Sequence, residues 1–318
     1  MRILRHVRDA PRWARGAAVA IGNFDGVHRG HAAVIEAAGE HARALGAPWA
    51  VMTFEPHPRA FFTPDIAPFR LTPFRAKARR LAALGVEVMI TLRFDAGLAA
   101  TSAEDFVSDL LVAGLGVGHV VVGPDFSFGK GRRGDAHLLR RMAAAHGFGF
   151  TEIAPVGEGS GRYASTEIRA LARRGAVDEV ARALGEPWSI EGRVLGGEGR
   201  GRGLGFPTAN LSLAGLLHPG PGIYAVRALI DGDDRWHDGA AYVGARPTFD
   251  GHEVLLETTL FDYDGDLYGR RLRVAFVERI RADRAFDDAA SLSAQMAEDC
   301  RRARRILAAA ATRSSSAA

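Results

Sequence analysis

The chain has one cysteine, Cys300, in 318 residues. A lone thiol excludes an internal disulfide framework and a zinc site built on several cysteines, and it fits a reducing compartment. Lysine is nearly as scarce. Lys77 and Lys130 are the only two, and arginine carries the remaining positive charge. Acidic residues are interspersed with the arginines and the net charge is only +4. The basic pI of about 9.6 therefore reads as arginine usage rather than as a nucleic-acid patch, and no nucleic-acid partner is expected. No apolar run approaches the ~20 residues of a membrane span. Ala17–Ile21 is too short for a signal-peptide core and reads as a buried strand. A cytoplasmic location with no membrane partner is the expectation. No internal repeat is found.

What the chain does have is apolar material, 47% of its residues, enough for a core in each of two domains. The first half alternates short apolar runs with helical patterns. Ala17–Ile21, Trp49–Phe54, Val86–Leu92, His119–Gly123 and Phe148–Ile153 read as strands. His31–Leu45, Pro73–Leu84, Ala103–Ala113 and Asp135–Ala145 read as helices. This alternation predicts an α/β domain with a parallel sheet covered on both faces. Two short helical patterns follow, Thr166–Arg173 and Val177–Leu184, and then Gly185-Glu186-Pro187 breaks the pattern. The boundary is placed there, giving domains 1–186 and 187–311. The second half is all-β in character: Ser189–Leu195, Ile223–Ile230, Arg235–Val243, Glu253–Phe261 and Arg271–Ile280 read as strands. Asp231-Gly232 and Asp264-Gly265 mark turns. A small antiparallel barrel with a final helix, about Ala289–Leu307, is expected, with a disordered tail at 312–318.

Gly22–His31, between the first strand and the first long helix, is the most informative segment. In parallel α/β sheets, ligands bind beyond the carboxyl ends of strands, where a loop turns into a helix. Glycines let the chain turn tightly and let a phosphate approach at Gly30. The free N–H groups at the helix start favour anions. His28 and His31, three residues apart, share a helical face and can both donate to a polyphosphate. Gly22, Phe24, Asp25 and Gly30 complete this nucleotide site. Two other glycine-rich strings fail their tests. Gly123–Lys130 has the wrong spacing for a phosphate loop, and Gly131 stands where Ser or Thr is required. Gly114–Gly118 precedes its strand instead of following one.

The second half has its own signal. Gly196–Gly205 holds six glycines and leads into Phe206-Pro207-Thr208-Ala209-Asn210. Pro207 stiffens the chain ahead of two polar side chains. Thr208 and Asn210 alternate past Ala209, so in an extended segment they point the same way and can jointly hold Mg²⁺ and phosphate oxygens.

The His-x-Gly-His string resembles the nucleotidylyltransferase superfamily, and its longer form resembles the bacterial bifunctional riboflavin kinase/FAD synthetase family. Thr53–Pro58, Gly123–Gly129 and Ala164–Arg169 resemble further motifs of that family. Leu204–Asn210, Gly244–Phe249, Leu256–Asp262 and Asp266–Gly269 resemble its flavokinase domain. The resemblance implies a Rossmann-like nucleotidylyltransferase domain followed by a flavokinase-like barrel. It implies riboflavin, FMN and ATP as small-molecule substrates and Mg²⁺ with the ATP; the sequence does not give the oligomeric state, and a monomer is the expectation. It places Ser165 and Thr166 on the nucleotide and Arg169 with His28 and His31 on the triphosphate. Ala164 stands where the family usually has serine. Phe62, Phe106 and Phe128 would wall the flavin and Asp125 would touch its polar groups. In the second domain Glu257 would be the base toward the ribityl hydroxyl. Gly201, Gly205 and Pro207 would hold the nucleotide, with Arg246 beside the flavin. Thr259 stands where the family often has histidine. Two alternatives remain at this point: a kinase whose adenylylating half is weakened at Ala164, and an inactive flavin-binding regulator. Other adenylyltransferases would not explain residues 188–310.

Overall fold

The computed structural model describes residues 1–158, 161–196, 208–213, 215–248 and 251–315, and of 158, 161, 245–248, 251–253 and 313–315 the backbone alone. The chain forms two compact units, residues 1–67 with 72–165, and residues 68–71 with 166–318.

The first unit is built on six parallel strands: β1 (Arg2–Leu4), β2 (Ala18–Ile21), β3 (Trp49–Glu55), β4 (Val88–Arg93), β5 (His119–Val122) and β6 (Gly149–Glu152). Their order is β1-β4-β3-β2-β5-β6, with β2 between β3 and β5. All four residues of β2 are buried, as both faces of the sheet are covered. Val19, Ile21, Met52 and Val120 face one layer, which includes Leu111, Leu115 and Leu139. Ala20, Val51, Met89 and Val121 face the other, where α1 (Arg29–Leu45) contributes Val34, Ile35 and Ala38. Short α2 (Pro58–Phe62) follows β3, and α3 (Phe74–Ala83) adds Leu81 to the second layer. After α4 (Ala96–Ala100), the expected helix Ala103–Ala113 begins as α5 (Ala103–Asp105) and widens into a π-helical segment, Phe106–Leu115. It runs two residues further than expected because Leu115 is itself core, and Gly116 in the left-handed region ends it. α6 (Ala136–His146) completes the first layer. A small hairpin, β7 (Gly157–Glu158) with β8 (Gly161–Arg162), precedes α7 (Ser165–Arg174).

In the second unit α8 (Val177–Leu184) leads to a closed barrel. Its strands are β9 (Ser189–Leu195), β10 (Ala209–Ser212), β11 (Gly222–Ile230), β12 (Trp236–Thr248), β13 (Gly251–Leu260) and β14 (Arg271–Ala282). The order β10-β13-β12-β11-β14-β9 closes through antiparallel β9–β10 pairing. Closure leaves no sheet edge to protect. Helix α9 (Ala289–Ser315) packs Ala303 and Leu307 against Ala225, Ala240, Phe261 and Ile280. Its last turns correct the expected tail: Thr312–Ser315 continue the helix, because Ala308–Ala311 are strong helix formers and the Thr312 hydroxyl donates to the Ala308 carbonyl. Residues 316–318 lie outside the described residues.

Candidate active sites

The first cleft forms where β2 ends and α1 begins. Gly22 is needed for close approach: a Cβ there would lie 3.0 Å from the Phe24 ring. Phe24 and Val27 take φ of +47° and +43°, left-handed values that a β-branched residue strongly resists. Asp25, which the sequence places on the nucleotide, is 1% exposed. Its Oδ1 accepts from the N–H (3.1 Å) and hydroxyl (3.4 Å) of Thr72, and that hydroxyl accepts from the Gly26 N–H at 3.0 Å. Asp25 thus holds the turn from behind. His28 caps α1, its Nδ1 accepting the His31 N–H at 3.2 Å. With Nδ1 committed as acceptor, the proton of the neutral ring is assigned to Nε2. The His28 and His31 rings stack at 3.6 Å, and Phe24 meets His31 edge-on at 5.3 Å.

Both histidines, Gly22, Phe24 and Gly30 line a cleft of about 250 Å³ with Asp125, Phe126, Arg162, Ala164 and Ser165. The Ser165 hydroxyl donates to the Asp25 carbonyl at 3.1 Å. Asp125 pairs with Arg162 at 2.8 Å on the exposed rim. Thr166 and Arg169 belong to the other unit. There Arg169 is buried, with Nε donating to the Phe69 carbonyl at 2.7 Å.

The expected flavin-wall residues are joined in one series of rings. Phe62, at the end of α2 and 65% exposed, meets Phe94 at 5.7 Å. Phe94 meets Phe54 at 6.1 Å, Phe54 meets Phe106 at 6.4 Å, and Phe106 meets Phe128 at 5.3 Å. Phe128 stacks on Phe126 of the cleft at 5.5 Å. Phe106 and Phe128 are buried, so the exposed aromatic surface is at Phe62.

The second cleft, about 500 Å³, lies in the barrel unit. Thr208 and Asn210 both line it, as their alternation predicts, opposite Tyr263, Asp264, Asp266 and Tyr268. Strand pairing then sets Glu257 directly opposite Asn210 on one side and Tyr242 on the other. Directly paired residues share a face of the sheet, so Asn210, Glu257 and Tyr242 form one row across β10, β13 and β12. Gly201, Gly205 and Pro207 lie outside the described residues, as does the side chain of Arg246. Among the described residues no group of three or more His, Cys, Asp or Glu is placed to hold a metal.

A family model described as FAD synthetase matches residues 10–167, and one described as riboflavin kinase matches residues 184–307. Curated bifunctional riboflavin kinase/FMN adenylyltransferases are similar along nearly the whole chain. That of Escherichia coli K12 is 42% identical over 94% of this chain and 95% of its own. The chain belongs to this bifunctional family. The Pseudomonas fluorescens relative is 41% identical over 98% of this chain and all of its own. A crystal structure described as a macrolide-efflux protein from Streptococcus pneumoniae is 30% identical over 93% of this chain and 96% of its own, with a TM-score of 0.83. Among the described residues no helix is long and apolar enough to cross a membrane.

Two residues of these halves escaped the sequence reading. In the FAD synthetase half, Lys77 is completely buried beneath the turn. Its rarity in a lysine-poor chain was the available signal. In the riboflavin kinase half, Tyr242 flanks Glu257. Burial, the hydrogen bond to Asp283 and the charges of Asp283 and Glu257 push the phenol pKa up to about 12. Only the strand register reveals this neighbour, since it lies fifteen positions before Glu257 in the chain.

Proposed function

We propose that the barrel unit transfers the γ-phosphoryl group of ATP to the ribityl 5′-hydroxyl of riboflavin, with Glu257 accepting the hydroxyl proton. The first unit then joins the resulting FMN to ATP: a phosphate oxygen of FMN attacks the α-phosphorus, pyrophosphate leaves, and FAD forms. Neither step needs a covalent nucleophile from the protein. Each needs aligned anions and donors aimed at developing charge. His28, His31 and the N–H groups opening α1 supply these in the first cleft. Thr208 and Asn210 supply them in the second. The oxygens of Thr208, Asn210, Asp264 and Asp266 lining that cleft are hard donors of the kind Mg²⁺ takes. Thr208 and Asn210 would hold the ion, which neutralises phosphate charge when bound. Phe62 offers the exposed face for the flavin ring.

The observation that carries this reading is the presence in one chain of two clefts, each within its own unit. Each is lined by residues that its half's resemblance places on phosphates. The test is one incubation with riboflavin, ATP and Mg²⁺, with the three flavins separated over time. Riboflavin should fall, FMN should rise and fall, and FAD should accumulate. FMN that accumulates with no FAD would leave the kinase alone.

A further inference from the structure

The turn that opens the first cleft is held in an unfavourable backbone conformation, and much of what holds it comes from the α3 side. Residues in sparsely populated backbone regions persist only where their surroundings over-determine them. Here Thr72 takes Asp25 and Gly26, and an Arg80 nitrogen reaches the Val27 carbonyl at 3.4 Å. Lys77 does the most. Its Nζ donates to the Asn23 carbonyl at 2.8 Å and to the Thr53 hydroxyl at 3.1 Å, and pairs with Glu55 at 3.4 Å. The Thr53 hydroxyl itself donates to the same Asn23 carbonyl at 3.1 Å. Asn23 is thus tied twice, immediately before the left-handed Phe24.

Packing alone does not explain a lysine here. The side chain is 0% exposed, and burying an ammonium carries a desolvation cost that an apolar chain of similar length avoids. The amine instead converges with a backbone carbonyl, a hydroxyl and a carboxylate at the root of the turn.

We propose that Lys77, acting with the Thr53 hydroxyl, is a positioning residue for adenylyl transfer. It fixes the Asn23 carbonyl and so the path of the chain through Phe24–Val27. That path sets the direction of the N–H groups and of the His28 imidazole that meet the triphosphate. The inference rests on the reading of Gly22–His31 as the triphosphate site. Small misplacements cost more in the transition state than in binding, so kcat is the parameter that falls.

The test uses full-length Lys77→Met, Thr53→Val and Thr53→Ser, with the His28→Ala/His31→Ala double variant as comparator. FAD formation from FMN and ATP gives kcat and KM, riboflavin phosphorylation normalises the preparations, and calorimetry reports folding. Lys77→Met should lose ~10–10²-fold in kcat with a smaller change in KM for ATP. Thr53→Val should lose less, and Thr53→Ser should restore the rate. Folded Lys77→Met and Thr53→Val turning over at the wild-type kcat, beside an inactive histidine double variant, would overturn the role of Lys77 alone. A fully active histidine double variant would overturn the site reading instead. If Lys77→Met does not fold, the Thr53 pair decides: equal kcat for valine and serine sinks the proposal.

Discussion

His28 does two jobs with one ring. Nδ1 caps α1 by accepting the His31 N–H, which leaves Nε2–H as the donor suited to a phosphate oxygen. His31 is held by stacking on His28 and by the Phe24 edge, so protein contacts alone set both rings. Replacing both with alanine should lower FAD formation by ~10²–10³ or more, the usual loss for one such donor. FMN formation from riboflavin should persist. A flavin-product assay separates the two outcomes. Glu257 is the corresponding residue of the barrel. Glu257→Gln keeps its shape and removes its basicity. Riboflavin phosphorylation should fall by ~10²–10⁴, while FAD formation from supplied FMN continues. A normal phosphorylation rate in that variant would remove Glu257 as the base.

Among the elements, α9 shows how a long helix is fastened to a barrel. Its apolar face supplies Ala303 and Leu307, and a partly buried ion pair supplies direction. Arg281 of β14 donates to both carboxylate oxygens of Asp299 at 2.8–3.1 Å, and Gln295 adds a bond of 2.8 Å. Asp299 is only 3% exposed, so removing it takes from the half-buried Arg281 guanidinium its carboxylate partner. Asp299→Ala should destabilise the barrel unit by about 1.5–3 kcal/mol, the range for losing hydrogen bonds to a charged group, read from urea unfolding of the full chain. An unfolding midpoint unchanged for that unit would show the pair to be dispensable. The turn before α1 obeys the same logic in reverse. Its conformation is costly, so Thr72, Lys77, Arg80 and Ser165 are recruited from other elements to hold it.

On the scale of the whole molecule, each unit carries core clusters of its own, and the first holds a pH-sensitive pair. In the first, His41 and His119 stack at 3.6 Å and share the Thr151 hydroxyl. Burial, and secondarily the charge of His41, lower the His119 pKa from 6.5 to about 4. The unfolded chain therefore binds a proton that the native state refuses across that window. Stability must fall as pH drops from about 6.5 to about 4, and this group adds no further loss below. Calorimetry of the full chain should show the first unit's transition moving down over that range. His41→Gln should make the fall shallower. An equal fall in that variant would show that the His41 charge plays no part.

Local signals went far with this chain. Period-two and helical patterning and turn residues each act over a few residues, and they located the parallel sheet and five of the six barrel strands. Thr208 and Asn210 were legible because alternation along one strand is a local rule. Tyr242 was not, because its place beside Glu257 depends on register between strands. Lys77 was not, because a charged residue on an amphipathic helix ordinarily faces water, and only the assembled sheet turns it inward to Asn23, Thr53 and Glu55. Asp25 carried a phosphate-site pattern, but tertiary contact with Thr72 made it a brace. The sequence by itself therefore determined which segments carry phosphate-binding patterns, since chain direction and glycine placement are written locally. Which side chains hold those segments in working shape was decided by tertiary structure alone, since burial, register and charge pairing arise only between elements distant in the chain.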